Sequence, residues 1–492
     1  MRRSAVLSWR VFLNTTLGIL RSFFCCCSSC LFLTVSIASH LKSVNDQELK
    51  QLTLASAAKR ISRRELSPVE VTEAVLDRIE RLNKRMRAFI TVMDERALEV
   101  ARAAEHEIAG GHRPPLQGVP ISIKDLFDTK GIRTTAGSKV FADRVPEQDA
   151  DVVMSLYGAG AVLVGKTNLH EFAYGVTSIN PHYGTARNPW DPQRITGGSS
   201  GGSATAVALA LGFGSLGTDT GGSIRIPASL CGIVGLKPTY GLVSLSGVIP
   251  LAPSLDHAGP MAQTVEDAAI LLSVITGGRV RYADALTGNV KGIRVGIPQS
   301  YFYEYLDREV DVAIRAAITN LGNLGADIVD VDFSSAALQK DIFVQVATPE
   351  AYSYHEQYLQ RHGAAYGSDV RTRLEAARTM LSVDYLRAQR GRLTMKEECE
   401  TIFKTADVIV TPTTAVAAPR IDGEIAVDLL NRCTRPFNLT GLPTVSVPCG
   451  FTSEGLPVGM QITGRAFDES TVLRVAHAYE QDAGWFQRRP PV

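Results

Sequence analysis

Two glycine-hinged serine segments constrain this chain more than any other feature. Gly197-Gly198-Ser199-Ser200-Gly201-Gly202-Ser203 is followed shortly by Gly217-Thr218-Asp219-Thr220-Gly221-Gly222-Ser223. Composition alone would make the first a flexible linker. The context is against that: Ala204 to Leu211 has the apolar texture of a buried helix, and a second Gly-Gly-Ser comes soon after. Glycines here let the backbone take positive φ and approach a ligand closely. Both segments therefore form the walls of a site, with serine hydroxyls as the reactive groups. A serine hydroxyl is a weak nucleophile until a base takes its proton. Lys124 is the candidate base, because it ends the apolar run Val119-Pro120-Ile121-Ser122-Ile123. Burial lowers a lysine's pKa and makes its amine usable as a base.

Ser223 is the better nucleophile candidate. Gly221 and Gly222 leave the amides before it unobstructed, so the N–H groups of Thr220, Gly221, Gly222 and Ser223 can converge on a developing oxyanion. Asp219 is placed to brace this loop, with Arg225 as its partner. Phe172, Tyr174 and Tyr354 are candidates for an apolar substrate wall.

The rest of the chain reads as an α/β body. Short apolar runs bounded by Gly and Pro, at Val119–Ile123, Ala161–Val164 and Ile233–Leu236, suggest buried strands. Further strands are expected at 293–297, 327–331, 408–410 and 444–447. Helices are expected from the Ser67-Pro68 cap, over 93–110, 265–275, 309–321 and 469–482. Alternating strands and helices imply one large domain, residues 43–492, with a central mixed sheet covered on both faces. The mostly helical segment 340–405 would lie over the sheet's ligand edge.

Residues 1–42 are an apolar extension. Arg2, Arg3 and Arg10 precede the apolar or small run Phe23–Ala38, and Ser36-Ile37-Ala38 suits a cleavage site. The run is short for a membrane span, which needs about 20 residues. Four of the eight cysteines fall in that extension, and the other four are scattered. No disulfide framework is indicated, and a reducing, cytoplasmic compartment is expected. The alternative is export or anchoring through residues 1–38, which would be the only membrane contact. With 51 basic and 50 acidic residues, nothing suggests a nucleic-acid footprint.

Two apparent motifs carry less than they promise. Gly160-Ala161-Val162-Leu163-Val164-Gly165-Lys166-Thr167 satisfies the phosphate-loop pattern. Its four intervening residues are strand-like, however, whereas a phosphate loop needs a turn with its N–H groups facing the ligand. His170-Glu171 lacks the second histidine of a zinc helix, the Cys27/Cys30 pair has no partner pair, and His257 suits a local structural role better than that of a base. No metal site is expected.

From about residue 50 onward, the chain resembles the amidase signature family. The resemblance is carried by the Ser199–Ser223 block, Gly235-Leu236-Lys237-Pro238-Thr239, Ser254-Leu255-Asp256-His257-Ala258-Gly259-Pro260-Met261, Gly441–Pro448 and Gly455–Gln461. It implies a Ser–cisSer–Lys triad, with Ser223 as nucleophile, Ser199 as bridging serine after a cis peptide, and Lys124 as base. It also implies hydrolysis of a small-molecule amide through an acyl-serine, without a cofactor, with carbamates and ureas open to the same machinery. A homodimer is compatible with this reading. The segments Leu242–Leu251 and Glu350–His355 favour a stand-alone amidase acting on small aliphatic, aryl or anilide amides. The alternative is the glutaminase component of a tRNA-dependent amidotransferase, which belongs to the same family. That enzyme needs a charged clamp for an amino-acid carboxylate, for which Arg371, Arg373, Arg378 and Arg387 are available.

Overall fold

The computed structural model describes residues 44–492, so the expectations for residues 1–42 lie outside the described residues. The body is an α/β domain built on one mixed sheet. Its strands are β1 (Phe89–Val92), β2 (Pro120–Lys124), β3 (Val162–Thr167), β4 (Gly214–Thr218), β5 (Val234–Lys237), β6 (Ala258–Ala262), β7 (Arg294–Pro298), β8 (Asp327–Val331), β9 (Val408–Pro412), β10 (Thr444–Phe451) and β11 (Pro457–Gly464). Their order across the sheet is β1-β3-β2-β4-β6-β5-β10-β11-β9-β7-β8. The core β2, β3 and β4 run parallel, as do β7, β8 and β9; antiparallel pairs through β5, β6, β10 and β11 join the two groups. Strands β2 to β6 are buried along their whole length, which fits a sheet covered on both faces.

The expected helices form where their caps and periodicity place them. Ser67 accepts the N–H groups of Val69 and Glu70 and opens Pro68–Met86, whose buried face includes Val71, Val75 and Ile79. The phosphate-loop lookalike is β3, as its apolar middle required. Its Lys166 is fully buried, donating to Phe127 O (2.6 Å) and Thr134 Oγ1 (2.7 Å) and pairing with Asp125 at 3.3 Å. Among the described residues, no helix is long and apolar enough to cross a membrane.

Two features position the site. First, β2 and β4 are parallel neighbours, so their C-terminal residues, Lys124 and Thr218, emerge on the same side of the sheet. In open parallel sheets that is the side where ligands bind. Second, the helix expected from Ala204 begins at Gly201. The first serine segment is thus the opening turn of a buried helix, which fixes the direction of Ser199 and Ser200.

Candidate active site

Lys124, the last residue of β2, is fully buried. Its Nζ lies 2.7 Å from Ser199 Oγ and 2.7 Å from Thr218 Oγ1. Burial lowers its pKa from 10.5 to about 7, against the opposing pull of the Asp219 and Asp256 charges. Near neutral pH the amine is therefore substantially uncharged, which lets it accept a proton. Sequence reasoning missed Thr218, although it stands inside the second serine segment. Its contact with Lys124 exists only because β4 pairs with β2.

Several hydrogen bonds hold the first segment. The Gly198–Ser199 peptide is cis, as the resemblance implies. The Ser199 carbonyl accepts the His170 N–H at 3.1 Å and the Ser178 hydroxyl at 3.2 Å. Ser178 Oγ in turn accepts the Gly201 N–H at 3.1 Å. Gly198 must be glycine here, because a Cβ would lie 2.8 Å from Ser178 N. The Ser200 N–H donates to the Ser223 carbonyl at 3.2 Å, which ties the two serine segments together.

Asp219 braces the second segment. Its carboxylate accepts the Gly222 N–H (2.8 Å), the Ile224 N–H (3.1 Å), Arg225 Nε and Nη2 (both 3.0 Å) and Asn438 Nδ2 (2.8 Å). Burial pushes this carboxyl's pKa up, but the Arg225 charge and these hydrogen bonds outweigh burial and hold it well below the usual carboxylate range. The bracing alters one expectation. The Gly222 N–H is already committed to Asp219, whereas those of Thr220, Gly221 and Ser223 have no hydrogen-bond partner among the described residues. Gly222 contributes its conformation instead: its φ is +126°, and a Cβ there would sit 2.2 Å from Thr434 Oγ1.

Ser223 opens onto a cavity of about 670 Å³ that also exposes Thr220, Gly221, His170, Tyr174, Asp369, Arg373, Asn431 and Arg435. Of the three expected wall aromatics, only Tyr174 lines it, with its hydroxyl donating to Thr348 Oγ1 at 3.0 Å. Phe172 is instead core, stacked edge-on against Phe141 (5.3 Å) and His355 (4.4 Å). Tyr354 packs on the same cluster, against His355 (5.0 Å) and Tyr358 (5.9 Å). Neither joins the wall, because an aromatic ring carries no sequence mark separating core from wall.

The arginines divide in the same way. Arg373 lines the cavity, while Arg371 and Arg387 pair with Glu375 and Asp384 on the exposed surface and Arg378 is exposed. Arg435 and Asn431, not foreseen, also line the cavity. His257 is a structural residue: its Nδ1 lies 2.7 Å from the Leu255 carbonyl, and burial holds its imidazole well below the ordinary range.

Residues 70–473 match the family model described as Amidase. The chain is 42% identical to a glutamyl-tRNA(Gln) amidotransferase subunit from Roseiflexus sp. (strain RS-1), over 90% of this chain and 98% of the relative. It is 44% identical to the corresponding protein of Chloroflexus aurantiacus, over 90% and 99%. A solved amidase superposes with a TM-score of 0.83 at 34% identity, covering 88% of this chain and 100% of that one.

Proposed function

This chain belongs to the Amidase family, and we propose that it hydrolyses the carbon–nitrogen bond of a carboxamide through an ester on Ser223. The observation that carries the proposal is the fully buried Lys124 amine, 2.7 Å from Ser199 Oγ. Ser223 attacks the carbonyl carbon while its proton passes to Ser199 and the Ser199 proton passes to neutral Lys124. The oxyanion is held by the free N–H groups of Thr220, Gly221 and Ser223; one such donor is typically worth about 3–4 kcal/mol. The carbon–nitrogen bond then breaks, and the departing nitrogen takes the proton back from Lys124 by way of Ser199. Water, deprotonated by the same pair, attacks the Ser223 ester and releases the acid.

The finer assignment has two readings. The amidotransferase relatives support the glutaminase reading better than they support the stand-alone amidase favoured by segments 242–251 and 350–355. On that reading the chain releases ammonia from glutamine within a larger assembly. The stand-alone reading keeps the solved amidase as its support, while Arg373 in the cavity wall, beside Arg435 and Asp369, is what the glutaminase reading asks of a carboxylate clamp.

Hydroxylamine trapping tests the shared chemistry. With a turned-over amide, the wild-type chain yields a hydroxamate from the acyl-enzyme, and Ser223→Ala yields none. Hydroxamate formed at the wild-type rate by Ser223→Ala would rule out the proposed nucleophile. Glutamine hydrolysis seen only with added partner proteins would select the glutaminase reading.

A further inference from the structure

Arg435 has no part in the proton path, yet it stands beside the nucleophile loop. A Cβ on Gly221 would be 3.6 Å from Arg435 Cγ and 2.9 Å from Phe343 Cζ. The guanidinium lies over the Phe343 ring, 4.8 Å from its centroid. Only Nη1 has nearby acceptors, Gln339 Oε1 and the half-exposed Asp428, both at 3.4 Å. Nε is buried without a partner, and Nη2 has none among the described residues. Leaving a buried guanidinium donor unpaired costs free energy that a bound acceptor would restore. Burial lowers the pKa of Arg435 only to about 10, so it remains charged at neutral pH.

The other charges in the cavity are already engaged. Among the described residues, Asp369 is its only carboxylate. It lies 2.9 Å from His170 Nε2 and 3.7 Å from Arg373 Nη2. Burial works to raise its pKa, but these partners hold it at about 2. The wall therefore presents an under-bonded cation, and its one carboxylate already has partners. The remaining buried orphan, Asn431 Oδ1, is uncharged.

We infer that Arg435 receives a carboxylate of the substrate, and that the substrate class is monoamides of dicarboxylic acids with no ammonium group beside that carboxylate. Arginine is suited to this, because its planar fork binds a carboxylate through two N–H donors. An ammonium would meet the under-bonded charge of Arg435 beside an aspartate already paired with Arg373 and His170. The inference rests on the Ser223 chemistry proposed above and sides with the stand-alone reading.

The test has a binding arm and a turnover arm. In thermal unfolding, glutarate should raise the wild-type midpoint and valerate should not; equal effects overturn the inference whether or not any amide is cleaved. In turnover, kcat/KM should be roughly tenfold or more higher for succinamate over butyramide, or for glutaramate over valeramide. Glutaramate should also be hydrolysed at least as well as glutamine. Arg435→Leu should collapse the carboxylate preference mainly through KM, and Arg435→Lys should restore part of it. A carboxylate preference undiminished in Arg435→Leu, or a tenfold preference for glutamine over glutaramate, contradicts the inference. No turnover of any amide, together with the glutarate-specific shift, would count against the Ser223 chemistry and leave the anion subsite standing.

Discussion

At the scale of single residues, the account turns on one amine. Lys124 works as a base only when neutral, and its pKa is lowered to about 7. The rate of acylation should therefore rise about tenfold per pH unit on the acid side and level off above about pH 7, as read from kcat/KM. The same shift bears on stability. Between pH 7 and 10.5 the folded chain carries fewer protons at this site than the unfolded chain, so the Lys124 contribution to stability improves as pH rises through that window. Lys124→Met should accordingly unfold at higher denaturant than wild type at about pH 7, and the gap should narrow toward about pH 10.5. Thr218 is the second contact of the amine. Thr218→Val removes an oxygen that stabilises the ammonium form, so the midpoint of the pH–rate profile should move down and kcat should fall roughly tenfold. An unmoved midpoint would make Thr218 a packing residue. The positions of Lys124 and Ser223 were legible from an apolar approach and glycine spacing, and that of Ser199 only through the family resemblance. Thr218, Asn438 and Arg435 were not, because their roles arise from segments far apart in sequence.

At the scale of elements, the second serine loop is held from behind. Asp219 and Arg225, both fully buried, link the end of β4 to the helix Arg225–Cys231 and, through Asn438, to the helix Arg435–Thr440. Removing one member of a buried ion pair strands the other charge. Arg225→Leu should cost about 3–5 kcal/mol in guanidinium unfolding. Arg225→Lys should recover little, since an ammonium cannot reproduce the two-nitrogen grip on Asp219. The strands show where sequence patterning stops working. Strands such as the one expected at Ala161–Val164 announce themselves by apolar content, but β1, β4, β6 and β11 were not anticipated, β4 and β6 for a reason tied to the site. Gly217 and Gly259 lower the strand signal in each, and the fold requires both. A Cβ on Gly217 would come within 2.8 Å of Met261 Sδ, and one on Gly259 within 2.2 Å of Leu236 O. The close strand approach that builds the site is what removes the usual strand residues.

At the scale of the whole molecule, the sheet delivers Lys124 and Thr218 to one edge, and chain from several distant regions closes over them. The cavity takes its walls from segments near 170–181, 220–223, 343–380 and 427–435. Residues 343–380, within the helical segment expected at the ligand edge, supply part of that wall. The charge of the cavity was not readable from the sequence, because Arg435 reaches it from beyond that segment. The central claim is that a buried neutral lysine activates Ser223 through Ser199. Labelling with a fluorophosphonate, located by peptide mass spectrometry, tests it most directly. The account predicts a single adduct on Ser223, forming at least a hundredfold more slowly in Lys124→Ala and Ser199→Ala. An adduct on another residue, or labelling of Lys124→Ala at the wild-type rate, would contradict it.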